Sequence, residues 1–163
     1  VNQTPEINPK LDLLLDRTIP VPRELVWKVW TEPQHLMQWF CPRPWKVSHC
    51  EMEVKPGGIF HTTMQSPEGQ EFPSTGCFLE AIPCERLAFT SVLLPGFRPA
   101  PVEGLQFSVV LTLTTIDGGT RYRAHVLHPD EASREQHEAM GFHHGWNAAL
   151  DQLIEFAQSL GAA

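Results

Sequence analysis

From Lys10 to Thr18 apolar side chains recur at every second position, Leu11, Leu13 and Leu15, which is the period of a half-buried strand. After Ile19-Pro20-Val21 the period lengthens. Pro22 stands where a first helical turn tolerates it, and Leu25, Val26, Val29 and Trp30 fall at helical spacing. Thr31-Glu32-Pro33 ends this helix and starts a second short one with Leu36, Met37 and Phe40 on its apolar side. The alternating pattern then returns, cut by turn residues in the manner of an antiparallel meander. The predicted strands are Trp45 to Val54, Ile59 to Ser66, Ser74 to Ile82, Leu87 to Leu94, Leu105 to Ile116 and Thr120 to His128. Lys55-Pro56-Gly57-Gly58, Pro67-Glu68-Gly69, Pro83-Cys84-Glu85-Arg86 and Asp117-Gly118-Gly119 supply turns, the last a strong short-loop hairpin signal. Finally Phe142, Trp146, Ala149, Leu153, Phe156 and Leu160 step by threes and fours, the stripe of a long amphipathic helix. Ser133 with Gln136 is a capping pattern for its start and Gly161 suits its end, while Gly141 and Gly145 predict a kink, a break or a close approach nearby.

These elements predict an α+β fold: a seven-stranded curved antiparallel sheet wrapped around a long C-terminal helix, with two short helices after the first strand. No linker or repeat divides the chain, so residues 1–163 read as one domain, with 1–9 as a flexible N-terminal arm. A curved sheet and a straight helix diverge at one end, which predicts a cavity between them. Alternation turns Tyr122, Ala124 and Val126 inward, with Phe107, Val109, Leu111 and Leu113, and with Leu87 and Phe89. For Ser74 to Ile82 the two faces are nearly balanced, leaving the direction of Phe78 and Glu80 open.

Composition narrows the function classes. Twelve Lys plus Arg against nineteen Asp plus Glu give a net charge of −7, which lacks the basic stripe that nucleic-acid binding needs. No apolar run approaches the ~20 residues that span a bilayer. Val1 to Glu6 carry no basic start followed by an apolar stretch, so with an intact start the expected location is cytoplasmic. Cys41, Cys50, Cys77 and Cys84 form no Cys-x-x-Cys pair and read as reduced, mostly buried thiols.

Candidate chemistry is sparse. His137 and His144 are seven apart, but no His pair at i, i+4 and no His-Glu-x-x-His pattern occurs, so no metal site and no cofactor are expected. The histidines read as solvated or locally hydrogen-bonded, and His61 and His125 fall opposite the core face by alternation. There is no Gly-x-Ser-x-Gly elbow and no phosphate-binding glycine loop. Glu80, His128 and Tyr122 converge for acid-base work only if Glu80 turns inward; the alternative is a sheet carboxylate paired with Arg86. No catalytic residue is assigned. The aromatic and apolar residues nearest the expected cavity are Phe60, Met64, Phe89, Phe107, Tyr122, Phe142 and Trp146, which suit an apolar ligand held by few polar contacts. The loop Pro95 to Pro101 is expected to overhang one mouth, with Phe97 and Arg98 gating it or touching a ligand head.

Several short motifs, in order along almost the whole chain, resemble a known family: Val26-Trp27, Glu32-Pro33, Trp39-Phe40-Cys41-Pro42 as a W-[WF]-x-P element, Lys55-Pro56-Gly57-Gly58, and Glu80-Ala81-Ile82-Pro83 with Glu85-Arg86-Leu87. Gly118-Gly119-Thr120 and Gly141 through Gly145-Trp146 to Leu150 and Leu153 complete the set. The chain resembles the SRPBCC superfamily, with its START or birch-allergen-type helix-grip fold, and within it the Aha-type group named after the activator of the heat-shock-protein ATPase. The resemblance implies a helix-grip fold and no particular activity. The leading expectation is non-enzymatic binding of a small hydrophobic molecule, such as a lipid, an aromatic or a polyketide-like compound. The alternatives are a chaperone-interacting ATPase activator homologue in stress response, and a cyclase- or hydratase-like enzyme working in the cavity. Either a monomer or a homodimer fits the pattern.

Overall fold

The computed structural model describes residues 5–161. Of the arm expected over 1–9, residues 1–4 lie outside the described residues. The Asn8 N–H donates to Asp12 Oδ2 at 2.8 Å, and Leu11 N–H to the Asn8 carbonyl at 3.0 Å, in a turn leading into the first strand.

The strands are β1 (Asp12–Ile19), β2 (Lys46–Met52), β3 (Ile59–Gln65), β4 (Glu71–Ile82), β5 (Arg86–Thr90), β6 (Leu93–Leu94), β7 (Arg98–Pro99), β8 (Ser108–Ile116) and β9 (Gly119–Leu127). The helices are α1 (Arg23–Thr31), α2 (Pro33–Leu36), α3 (Glu131–Ala139) and α4 (Phe142–Gly161). Seven strands form one antiparallel sheet, as the alternation predicts; its order is β1-β9-β8-β5-β4-β3-β2, and β6 and β7 form a separate small hairpin.

Three local expectations are corrected. The strand expected from Leu87 to Leu94 ends at Thr90, because Thr90 Oγ1 accepts the Val92 N–H at 3.2 Å and Ser91 turns to bond Phe107, so Leu93 and Leu94 leave the sheet. The neighbouring strand accordingly begins at Ser108 and not at Leu105. At the start of α3 the cap is Asp130, not Ser133: Asp130 Oδ1 accepts the Ser133 N–H at 2.7 Å. The expected break does fall at Gly141, whose φ of +94° is open to glycine at little cost and sets an elbow between α3 and α4.

The concave face of the sheet and the apolar stripe of α4 share one core. Leu13, Leu15, Phe78, Leu87, Leu111, Leu113, Ala124 and Val126 meet Leu150, Leu153 and Ala157, with Val26, Val29 and Trp30 of α1 closing one side. Two polar devices fix α4 against its surroundings. Arg17 on β1 donates to Asn147 Oδ1 at 3.2 Å and to Asp151 Oδ1 at 2.8 Å. Buried Gln152 donates through Nε2 to the carbonyls of Trp39 and Cys41 at 3.1 and 2.8 Å, and its Oε1 accepts the Arg43 N–H at 2.9 Å. Gln152 thereby ties the segment after α2 to the middle of the long helix.

Candidate functional site

Where the sheet curves away from the first half of α4, side chains no longer meet across the gap, and a cavity of about 610 Å³ opens. That volume lies within the ~300–1,000 Å³ of small-molecule sites. The sheet contributes Phe60, Thr62 and Met64 from β3, Phe72, Pro73, Ser74 and Gly76 from β4, Phe89 and Thr90 from β5, and Tyr122 from β9. Trp30 and the segment Trp39 to Pro42 form one wall, and His137, Met140, Phe142, Trp146, Ala149 and Leu150 form the helical wall. Phe72 and Met140 line the cavity and are also 44% and 67% exposed, so they form its rim.

Seven of the nine residues singled out from sequence line this cavity: Phe60, Met64, Phe89, Phe107, Tyr122, Phe142 and Trp146. Phe97 and Arg98 do not. Their hairpin closes on itself through Leu93 with Pro99 and Leu94 with Arg98, and the Gly96 N–H donates to the Gly57 carbonyl at 2.8 Å, drawing the tip onto the β2–β3 turn. There the Phe97 ring packs over Gly57, where a Cβ would stand 2.8 Å from it.

Sequence reasoning missed Trp30, Trp39 and Phe40 as lining residues, along with Phe72 and His137. The two tryptophans and Phe40 were legible only as core aromatics, which they also are: Trp30 packs edge-on to Trp39 and Phe40 with centroids 4.9 and 5.8 Å apart. His137 gave a weaker signal, one position before the spacing that continues the Phe142 and Trp146 stripe backward.

Among the described residues no Asp, Glu, Lys or Arg lines the cavity. Its polar groups are neutral. Tyr122 is fully buried; burial raises its phenol far above the ordinary value, against a smaller opposing effect of the bond that Trp30 Nε1 donates to its Oη at 3.0 Å. His137 is held down to about 4, first by burial and then by the positive charge that His128 can carry. Burial pushes the Cys41 thiol up to about 11, so it is no ready nucleophile.

The acid-base set considered from sequence does not assemble. A bulge between Phe78 and Glu80 shifts the register, so that Phe78 pairs with inward Phe89 but Glu80 pairs with Ala88 on the opposite face. Glu80 is there bonded to Arg86. His125 does lie opposite the core face, yet it is only 1% exposed and shares a 2.8 Å hydrogen bond with Asp12.

A curved antiparallel sheet gripping a long helix over an apolar, uncharged cavity defines an SRPBCC protein of the helix-grip class. Within that class the chain belongs to the family of activator of Hsp90 ATPase homolog 1-like proteins, whose sequence pattern matches residues 20–158. Among solved structures it is similar to protein NE0264 from Nitrosomonas europaea, with 43% identity over 96% of this chain and 100% of that one, at a TM-score of 0.93. A protein from Rhodobacter sphaeroides shares 22% identity over 95% and 97% of the two chains, at a TM-score of 0.82. An AHSA1-like protein from Aeromonas hydrophila shares 20% identity over 94% and 96%, at 0.70. At those identities the last two show the fold alone. No curated protein matches the chain. Among the described residues no helix is long and apolar enough to cross a membrane.

Proposed function

We propose that this chain binds a small hydrophobic molecule in the sheet–helix cavity and does no chemistry on it. The observation that carries the reading is the lining: among the described residues ten aromatic side chains and no Asp, Glu, Lys or Arg, around a volume of about 610 Å³ in a place where a solid core would otherwise continue. A space of this kind stabilises the fold only when an apolar occupant replaces water, so affinity and thermal stability are coupled. Native mass spectrometry and thermal shift against lipid and aromatic libraries test it. A true ligand at about 100 times its Kd adds about 2.7 kcal/mol to the folded state. A library in which nothing binds or stabilises the protein refutes the reading.

The family description supports a second reading, contact with a chaperone ATPase. Exposed Phe97 and Val102, both outside the cavity, offer apolar contact area for it. Stimulation of a chaperone's ATPase by the purified chain is the test, and absence of both stimulation and pull-down removes it. A cyclase- or hydratase-like role has less support, since the carboxylate it would use, Glu80, faces away from the cavity.

A further inference from the structure

Two histidines give the cavity a hydrogen-bonding direction. His128, just past the end of β9, places Nδ1 2.8 Å from the Leu11 carbonyl, and its Nε2 lies 2.9 Å from Nδ1 of His137 on α3. A carbonyl oxygen only accepts, so His128 carries its proton on Nδ1. In the neutral ring, Nε2 is then a lone pair, and the bond to His137 requires that His137 carry its proton on Nδ1. His137 Nε2 is left as a lone pair. The Leu11 backbone thus sets the tautomer of a ring two hydrogen bonds away.

That lone pair has no partner among the described residues, although His137 is only 8% exposed and lines the cavity. The nitrogen keeps its access through the cavity and is not sealed in the core, so a ligand donor entering there finds a free acceptor ringed by apolar walls, where a hydrogen bond is stronger than in water. The surrounding ring faces narrow the choice further: His137 lies among Phe107, Phe142 and Trp146, with centroids 5.1, 5.2 and 6.3 Å away. Ionised ligands are disfavoured, because no lining cation or anion would pair with them.

We propose that the cavity selects an uncharged aromatic molecule bearing a hydroxyl group, a phenol by class, whose O–H donates to His137 Nε2. This rests on the cavity-binding reading above. His137 is the specificity-determining contact, and His128 is a positioning residue that holds its tautomer.

Titration calorimetry at pH 8 with 2-naphthol and 2-methoxynaphthalene tests it, since the two share a ring system and differ in the donor. The expected result is about tenfold tighter binding of 2-naphthol, the effect of one net hydrogen bond made inside an apolar cavity. In His137→Phe, which keeps a ring in place, the ratio should fall to near one through weaker 2-naphthol binding. Equal binding of the two compounds by the unsubstituted protein overturns this inference and leaves the cavity reading standing. A preference that survives His137→Phe also overturns it, and binding of neither compound overturns this inference while the wider library still decides the cavity reading. Should the variant fail to fold, nitrogen NMR of the unsubstituted protein decides: His137 should show the Nδ1–H tautomer, with an Nε2 resonance that moves with 2-naphthol and not with its methyl ether. An Nε2–H tautomer, or no movement, refutes the assignment.

Discussion

Replacing Gln152 by Leu tests how firmly the long helix holds the cavity wall. The side chain is 9% exposed and makes three hydrogen bonds, two donated to the carbonyls of Trp39 and Cys41 and one accepted from the Arg43 N–H. Leucine has nearly the same volume, so little is lost in packing, but the two carbonyls and the N–H lose their partners. At about 1 kcal/mol of net stability for each bond the expected loss is about 3 kcal/mol. For a chain of this size about 2–4 °C accompanies each kcal/mol, which puts the fall in Tm at about 6–12 °C. Urea denaturation should show a lower midpoint with an unchanged slope, the sign that only stability has moved. Because the tethered segment supplies Trp39, Phe40, Cys41 and Pro42 to the cavity, ligand affinity should fall as well. Gln152→Glu sharpens the test: its carboxylate can still accept from Arg43 but turns a charge toward two carbonyl oxygens, so the variant should be less stable than Gln152→Leu at pH 7. A loss below about 1 kcal/mol in Gln152→Leu would refute the assigned role, since even one such bond is worth that much.

Two glycine substitutions should have opposite signs in thermal denaturation. In Gly119→Ala the new Cβ would stand 1.9 Å from the Ile19 carbonyl oxygen, so β9 must move off β1 and the loss should exceed about 2 kcal/mol, whereas a Cβ on Gly145 meets nothing within 4 Å and Gly145→Ala should gain about 1 kcal/mol of helix propensity. Stability should also fall in acid through His137. Its folded value of about 4 lies below the ordinary 6.5, so the unfolded chain binds the proton first; stability is complete above about pH 6.5 and declines toward pH 4, and His137→Phe should flatten that part of a pH-dependent denaturation profile.

Strand period and turn chemistry made the seven-stranded sheet readable, because alternation at Leu13 and Leu15 or at Tyr122, Ala124 and Val126 is a local property. The divergence of sheet and helix followed from shape alone. Glu80 was not readable, since its direction depends on a one-residue bulge beside Leu79 that no composition signal marks. The position of Phe97 and Arg98 outside the lining was not readable, because the loop's path is decided by a backbone bond from Gly96 to Gly57, thirty-nine residues apart in sequence. The His128–His137 pair escaped notice for a related reason. Nine residues separate the two, and only the turn capped by Asp130 brings the end of a strand and the last turn of a helix face to face.

The uneven contact along α4 has a dynamic consequence. Phe142, Gly145, Trp146, Ala149 and Leu150 look into the cavity, while Leu153 and Ala157 are wholly buried in solid packing. One continuous helix therefore spans two levels of local stability: an anchored second half that opens only with the whole fold, and a first half, hinged at Gly141, that can open by itself at much lower cost. Exchange of an occupant with solvent then needs no global unfolding. It is timed by excursions of the first two turns of α4 and of α3 joined to it, and an occupant that fills the gap slows those excursions by bracing the helix against the sheet.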